Sequence, residues 1–172
     1  MKKKKICIVT GIRSEFGLIV NLLREINKSK KLKLFLLVTG PHLMKEFGNT
    51  YKEIQKEDLK IFKKIKLAES ITSENYISNS VGVGVIKFSK IFKVIKPDLV
   101  CIPCDRYEML GPAISSYLAN IPIAHFYGGE ITKGSQDDIT RNSITKMSNL
   151  HFVTHPSHKK RVIQMGENPN NV

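Results

Sequence analysis

Residues 125–141, HFYGGEITKGSQDDITR, gather Glu130, Asp137, Asp138 and Arg141 into seventeen positions that also hold three glycines. An apolar run precedes the segment and a helical pattern follows it. So much charge makes poor core material, but it suits chemistry that moves protons. Clustered carboxylates shift one another's ionisation, which lets one act as acid while its neighbour acts as base. A guanidinium among them can orient the carboxylates or grip an anion. Plainer readings exist for some of these residues. Asp137 and Asp138 would complement the dipole of a helix that starts there. Arg141, four residues after Asp137, would form a surface pair worth only about 0.2–0.5 kcal/mol. Glu130 is harder to set aside, because a turn that needs only shape has no use for a carboxylate.

Three further polar clusters accompany this one. GIRSEFG, residues 11–17, is neither a Walker loop nor GxGxxG. Ser14 can cap the helix that begins there. A free helix N-terminus with Gly17 in its first turn also lets backbone N–H groups approach an anion, with Arg13 placed to clamp it. GPH, residues 40–42, brings His42, and CDRYE, residues 104–108, brings Asp105 and Glu108. Cys101 and Cys104 form a CxxC. Residues three apart on a strand diverge, and a redox CxxC belongs at a helix start, whereas the helix here begins near Glu108. Zinc would need two more ligands, and His125 with His151 is an unpatterned supply. Cys7 and Cys101 read as small apolar strand residues. His151, His155 and His158 read as part of a strand end and a solvated helix.

The elements that must position these residues alternate. Residues 6–10 form a short β-branched run ending at Gly11, and Phe16, Ile19, Val20, Leu23 and Ile26 then fall on one helical stripe. Residues 32–38 are nearly all apolar, as in a strand buried on both faces. A weaker helix is expected over 43–55 and a short strand around 59–67. A long helix over 73–96 shows Val81, Val85, Phe88, Ile91, Phe92 and Ile95 on one face and ends at Pro97. Strand 98–101, helix 108–119, strand 121–126, helix 137–148, strand 150–153 and helix 156–165 complete the pattern. Six β-α units without a hairpin signal predict an α/β fold, a Rossmann-like parallel sheet with helices on both faces. Ligands of such sheets sit beyond the carboxyl ends of the strands. All four clusters follow strands, so all four land on that edge.

Composition narrows the field. The 172 residues are 41% hydrophobic and 25% charged, as in a folded protein, and no apolar stretch would span a bilayer. The basic start, residues 2–5, is followed by an apolar run too short for a signal peptide, so the reading is cytoplasmic. Three cysteines fit reduced thiols there. A net charge of +13 raises nucleic acid as a partner, but the lysines are scattered along solvated faces and no binding motif accompanies them. A positive field that draws in a phosphorylated substrate fits the same charge.

Taken together, VTGIRSEFG (9–17), VTGPHLMKEFGNTY (38–51), DRYEML (105–110), GGEITKGSQDDITR (128–141) and SITKMSNLHF (143–152) resemble the N-terminal half of the UDP-N-acetylglucosamine 2-epimerases. The likeness is to the hydrolysing, sialic-acid-pathway branch. It implies one half of a glycosyltransferase-B arrangement, with residues 1–172 as its N-terminal Rossmann-like domain. It implies elimination of UDP from UDP-GlcNAc across C1–C2, then addition of water at C1, giving N-acetylmannosamine. By motif match Asp105, Glu130, Asp137 and Arg141 would be catalytic. Arg13, His42, Glu108, Gly129 and Asp138 would contact substrate. No cofactor or metal is implied, and the full-length enzyme would be a homo-oligomer. Cys104 stands where the family usually has Gly, and Asn142 where hydrolysing members usually have His, which cannot be replaced in proton traffic by an amide. The family's second, nucleotide-binding domain is not among these residues, so the chain alone is expected to be inactive. A GDP-sugar hydrolysing relative, a non-hydrolysing epimerase and a non-catalytic sugar-nucleotide-binding module are the alternatives.

Overall fold

The computed structural model describes residues 2–67, 74–103 and 105–172. Ser73, where the long helix was expected to begin, and Cys104 lie outside them. Six strands form one parallel sheet in the order β3-β2-β1-β4-β5-β6. They are β1 (Lys4–Thr10), β2 (Leu32–Thr39), β3 (Ile61–Ile65), β4 (Leu99–Ile102), β5 (Ile123–Phe126) and β6 (Leu150–Phe152). The helices between them are α1 (Arg13–Lys28), α2 (Tyr51–Lys56), α3 (Tyr76–Ile95), α4 (Leu110–Leu118), α5 (Asp137–Met147) and α6 (Pro156–Gln164). This is the doubly wound Rossmann order, with its switch between β1 and β4.

Strand register divides the core in two. Cys7 lies beside Phe35 and Val100, and these pack with Phe88, Phe92, Ala113 and Ile144 from α3, α4 and α5. The next row, Ile8 beside Leu36 and Cys101, packs under Phe16, Ile19, Leu23 and Ile26 of α1. The alternation follows from the two-residue period of a strand. It also places Cys7 and Cys101 on opposite faces, where burial raises both thiols, Cys101 to about 12. Neither is poised as a thiolate.

The differences from the expected elements have local causes. The weak helix over 43–55 is instead two single 3-10 turns and the short α2, because Gly48 and Asn49 take left-handed backbone (φ 79° and 51°). Similarly, a 3-10 turn over Tyr107–Met109 precedes α4. In α3 the buried face begins with Ser80 and Gly84, while Val81 and Val85 are only partly buried. The reason is a close helix crossing: a Cβ on Gly111 would lie 3.0 Å from Gly84 Cα and 3.1 Å from its carbonyl carbon. Small residues, not valines, permit that approach. Among the described residues no helix is long and apolar enough to cross a membrane.

Gly111→Ala is therefore expected to force the α3 and α4 backbones apart and destabilise the fold by about 1–3 kcal/mol, as overpacking does. Gly82→Ala, in the same α3 with nothing within 4 Å of its Cβ, is expected to stabilise by about 0.5–1 kcal/mol. Opposite shifts of the thermal midpoint check the pair.

Candidate active site at the carboxyl edge of the sheet

Because every strand runs the same way, the loops after β1, β2, β4, β5 and β6 share one edge. Two groups of side chains form there. The first is built on Arg141, in the second turn of α5 and only 2% exposed. Its Nη1 donates to the Glu130 carbonyl at 3.0 Å and to Asp138 Oδ1 at 3.2 Å. Its Nη2 donates to Asp105 Oδ2 and, at 2.8 Å, to Thr132 Oγ1. One guanidinium thus ties the loop after β4, the loop after β5 and the start of α5. Asp138 is held further by the Thr132 N–H at 3.0 Å and by Asn142 Nδ2 at 3.5 Å. The surface pair between Asp137 and Arg141, the plainer of the two readings, does not form: burial drives Arg141 toward the acceptors of other loops, and Asp138 is its partner on α5. Asp137 is half-buried, and its carboxylate makes no hydrogen bond among the described residues.

Glu130 sits in the same group through its backbone, while its carboxylate faces another element. Its Oε1 accepts from Thr154 Oγ1 at 2.9 Å, in the loop after β6. The preceding turn is tight. Gly129 has φ 79°, and a Cβ there would strike the His158 carbonyl, while Arg161 donates to the Gly129 carbonyl. Tyr127 also takes left-handed backbone (φ 65°), and its hydroxyl pKa is raised by burial and by the nearby charges of Glu130 and Glu15.

The second group lies under the ends of β1, β2 and β4. His42 is fully buried, with Nε2 3.1 Å from Thr10 Oγ1 and Nδ1 2.8 Å from Thr50 Oγ1. Burial pushes its imidazole down to about 4, against the opposing pull of Glu53. Glu108, 1% exposed, accepts from Arg106 Nε at 2.7 Å. It packs on Gly11 and Gly40, whose missing side chains leave it room: a Cβ at either would come within 3.2–3.4 Å of Oε1. The resemblance assigns substrate contact to His42 and Glu108; the structure places both side chains in the interior, where they brace the loops.

Arg13 stands apart from both groups. It is exposed at the start of α1 and donates to Glu53 at 2.6 Å, lining a groove of about 360 Å³ with Ser14, Gly17 and Glu57. Ser14 does not cap α1, whose first residue is preceded by Ile12 with no side-chain cap. The two histidines of the zinc alternative are register neighbours on β5 and β6, while Cys101 belongs to the other face of the sheet. His125 meets Thr145 Oγ1 at 3.1 Å, and His151 lies 3.3 Å from Glu167. Among the described residues no His, Cys, Asp and Glu group could hold a metal ion. The sequence reading does not single out Thr132, Thr154 or Arg161, and it places His158 on a solvated helix. Thr154 carried a usable signal, since it follows a strand on the same edge as the four clusters.

The profile of the UDP-N-acetylglucosamine 2-epimerase family matches residues 24–172. The chain belongs to that family. It is 48% identical over 167 residues to a GDP/UDP-N,N'-diacetylbacillosamine 2-epimerase (hydrolyzing) of Campylobacter jejuni, covering 97% of this chain and 43% of that protein. It is 39% identical over 169 residues to the polysialic acid biosynthesis protein P7 of Escherichia coli, covering 98% and 43%. The crystal structure of Neisseria meningitidis UDP-GlcNAc 2-epimerase bound to UDP-GlcNAc superposes with a TM-score of 0.86 at 16% identity, over 98% of this chain and 44% of that one. The chain thus spans less than half the length of these relatives.

Two outcomes test the geometry. Arg141→Lys keeps the charge but not the fork that reaches several loops. It is expected to destabilise by about 3 kcal/mol in denaturant melts, the low end for breaking a buried pair because Asp105 and Asp138 keep some solvent. The lowered His42 value means that the unfolded chain takes up a proton first. Its contribution, present above about pH 6.5, is lost as pH falls toward 4, at ~1.4 kcal/mol per unit. The stability gap between wild type and His42→Asn is expected to narrow across that window.

Proposed function

We propose that the chain is the N-terminal part of a hydrolysing 2-epimerase acting on a nucleoside-diphosphate 2-acetamido sugar. The observation that carries this reading is the Arg141 guanidinium. It gathers acidic residues from two strand-end loops and a helix start at the edge where α/β sheets bind ligands. The hydrolysing Campylobacter relative supports the reaction class, and its diacetylbacillosamine nucleotide joins UDP-GlcNAc as a substrate to be tested.

The reaction needs what this edge offers. Elimination breaks the C1–O bond to the diphosphate and removes the C2 proton. Hydration then puts a water oxygen on C1 and a proton on C2. Inversion at C2 requires that a proton leave one face and another arrive at the opposite face, so two carboxylates on separate loops are needed. Asp105 and Glu130 fill those roles. Asp137, whose carboxylate makes no hydrogen bond among the described residues, serves the sugar oxygens. Arg141 fixes the three loops, while Asp138 and Gly129 shape the pocket wall. Arg13 exchanges Glu53 for the departing diphosphate. His42 and Glu108 hold the floor rigid. A second domain closing over the edge completes the nucleotide site, and the family resemblance implies a homo-oligomer for the full-length enzyme.

The test is turnover by the full-length enzyme with UDP-GlcNAc and with UDP- and GDP-diacetylbacillosamine. In deuterated, ¹⁸O-labelled water the product is expected to carry deuterium at C2, and the released nucleotide no ¹⁸O. Asp105→Asn and Glu130→Gln are each expected to lower kcat by about 10²–10⁴. A label-free product, or a nucleotide labelled by P–O cleavage, overturns the mechanism.

A further inference from the structure

Inversion at C2 leaves a debt of protons that the active-site carboxylates cannot settle between themselves. After each turnover the group that took the C2 proton holds one too many, the group that protonated C2 lacks one, and the water that added at C1 has released one, so the cycle discharges a net proton. That proton must reach solvent before the next cycle. Glu130 is half-buried and its carboxylate bonds to the exposed Thr154, so proton exchange there can follow a defined hydrogen-bonded path.

The hydrogen bonds supply one. Thr154 Oγ1 donates to Glu130 Oε1 at 2.9 Å, and the same oxygen lies 3.0 Å from His158 Nδ1. With the hydroxyl proton committed to the carboxylate, the Thr154 oxygen accepts from His158, so Nδ1 carries the ring proton. His158 is half-buried and in contact with solvent. Its place is enforced twice more. Its carbonyl sits against Gly129, where only glycine fits, and Arg161, one turn along α6, donates to the Gly129 carbonyl. Near the His158 ring lie the Glu130 carboxylate, reached through Thr154, and the ring of His155, with centroids 5.7 Å apart. Val153, Thr154 and α6 otherwise have no task in the reaction as described.

On the reading of the reaction given above, we infer that Thr154 and His158 form a proton relay that resets Glu130. To reload the carboxylate, Thr154 passes its hydroxyl proton to Glu130 and takes the Nδ1 proton of His158. The ring accepts a proton at Nε2 from a solvent or buffer acid. One proton moves from solvent to the carboxylate, and only the ring tautomer and the hydroxyl orientation change. Run backwards, the same path unloads Glu130. His158 is a positioning and relay residue, acting through Thr154 and never on the sugar.

Two measurements test this. ¹⁵N-resolved NMR of the neutral His158 ring is expected to show the Nδ1–H tautomer in wild type and its loss in Thr154→Val. In the full-length enzyme, His158→Ala and Thr154→Val are each expected to lower kcat at least about tenfold with KM within about twofold, while Thr154→Ser keeps the rate. Added imidazole is expected to restore His158→Ala but not Thr154→Val, a pattern that a purely structural brace does not produce. A ring that stays in the Nε2–H tautomer, a His158→Ala enzyme that keeps its kcat, or one that imidazole leaves unrescued overturns the relay. Absence of turnover in wild type itself overturns the reaction reading and the relay's role with it, and is told apart because the ring tautomer is read without substrate.

Discussion

The arrangement of this sheet edge depends on one buried cation. Arg141 is almost wholly withdrawn from water, and a guanidinium in that position is tolerable only when acceptors surround it. The acceptors come from the loop after β4, the loop after β5 and the first turn of α5. None of these segments can swing away without stranding charge in the interior. The loops, which elsewhere in a fold are the mobile parts, are here fixed relative to one another by electrostatics. In a chain with a net charge of +13 this is also where negative groups collect.

A second layer does related work by different means. Under β1, β2 and β4, Gly11 and Gly40 omit side chains so that Glu108 can lie against their backbones, and the His42 N–H donates to the Gly11 carbonyl at 3.0 Å. Shape makes this floor, whereas charge makes the rim. The division explains why His42 and Glu108 are buried although they occur in the same sequence motifs as Arg13 and Asp105. Motif membership groups residues by their strand end, and the depth at which each side chain stops is decided by the packing.

That distinction marks what was legible in the sequence. Strands β1, β2 and β4 were readable because their apolar runs are dense and stop at Gly11, Gly40 and Pro103, and α1 because Phe16, Ile19, Leu23 and Ile26 keep a strict helical spacing. The placement of four polar clusters on one edge followed from parallel topology alone. The face of α3 was misjudged because hydrophobicity favours valine, while the constraint was the space between two helix backbones. The plainer reading of Arg141 pairs it with Asp137, since a helix pattern counts residues within one element; the reading of a guanidinium that orients carboxylates names the role, but the pattern cannot see Asp105 arriving from another element. His158 reads as a solvated helix residue and Thr154 draws no notice for the same reason: their contact with Glu130 is a hydrogen-bonded chain between the loop after β6, α6 and the loop after β5.

The strand order has a consequence for anything that binds here. Arg13 follows β1 and Glu130 follows β5, with β4 between them. Neighbouring strands lie about 4.8 Å apart, so these two loops are separated by about 10 Å measured crosswise. A molecule touching both must be laid perpendicular to the strands, like a bar across the ends of a row of pipes. Its length is then set by that crosswise spacing less the reach of the two side chains, so the strand order fixes the direction in which a ligand must lie.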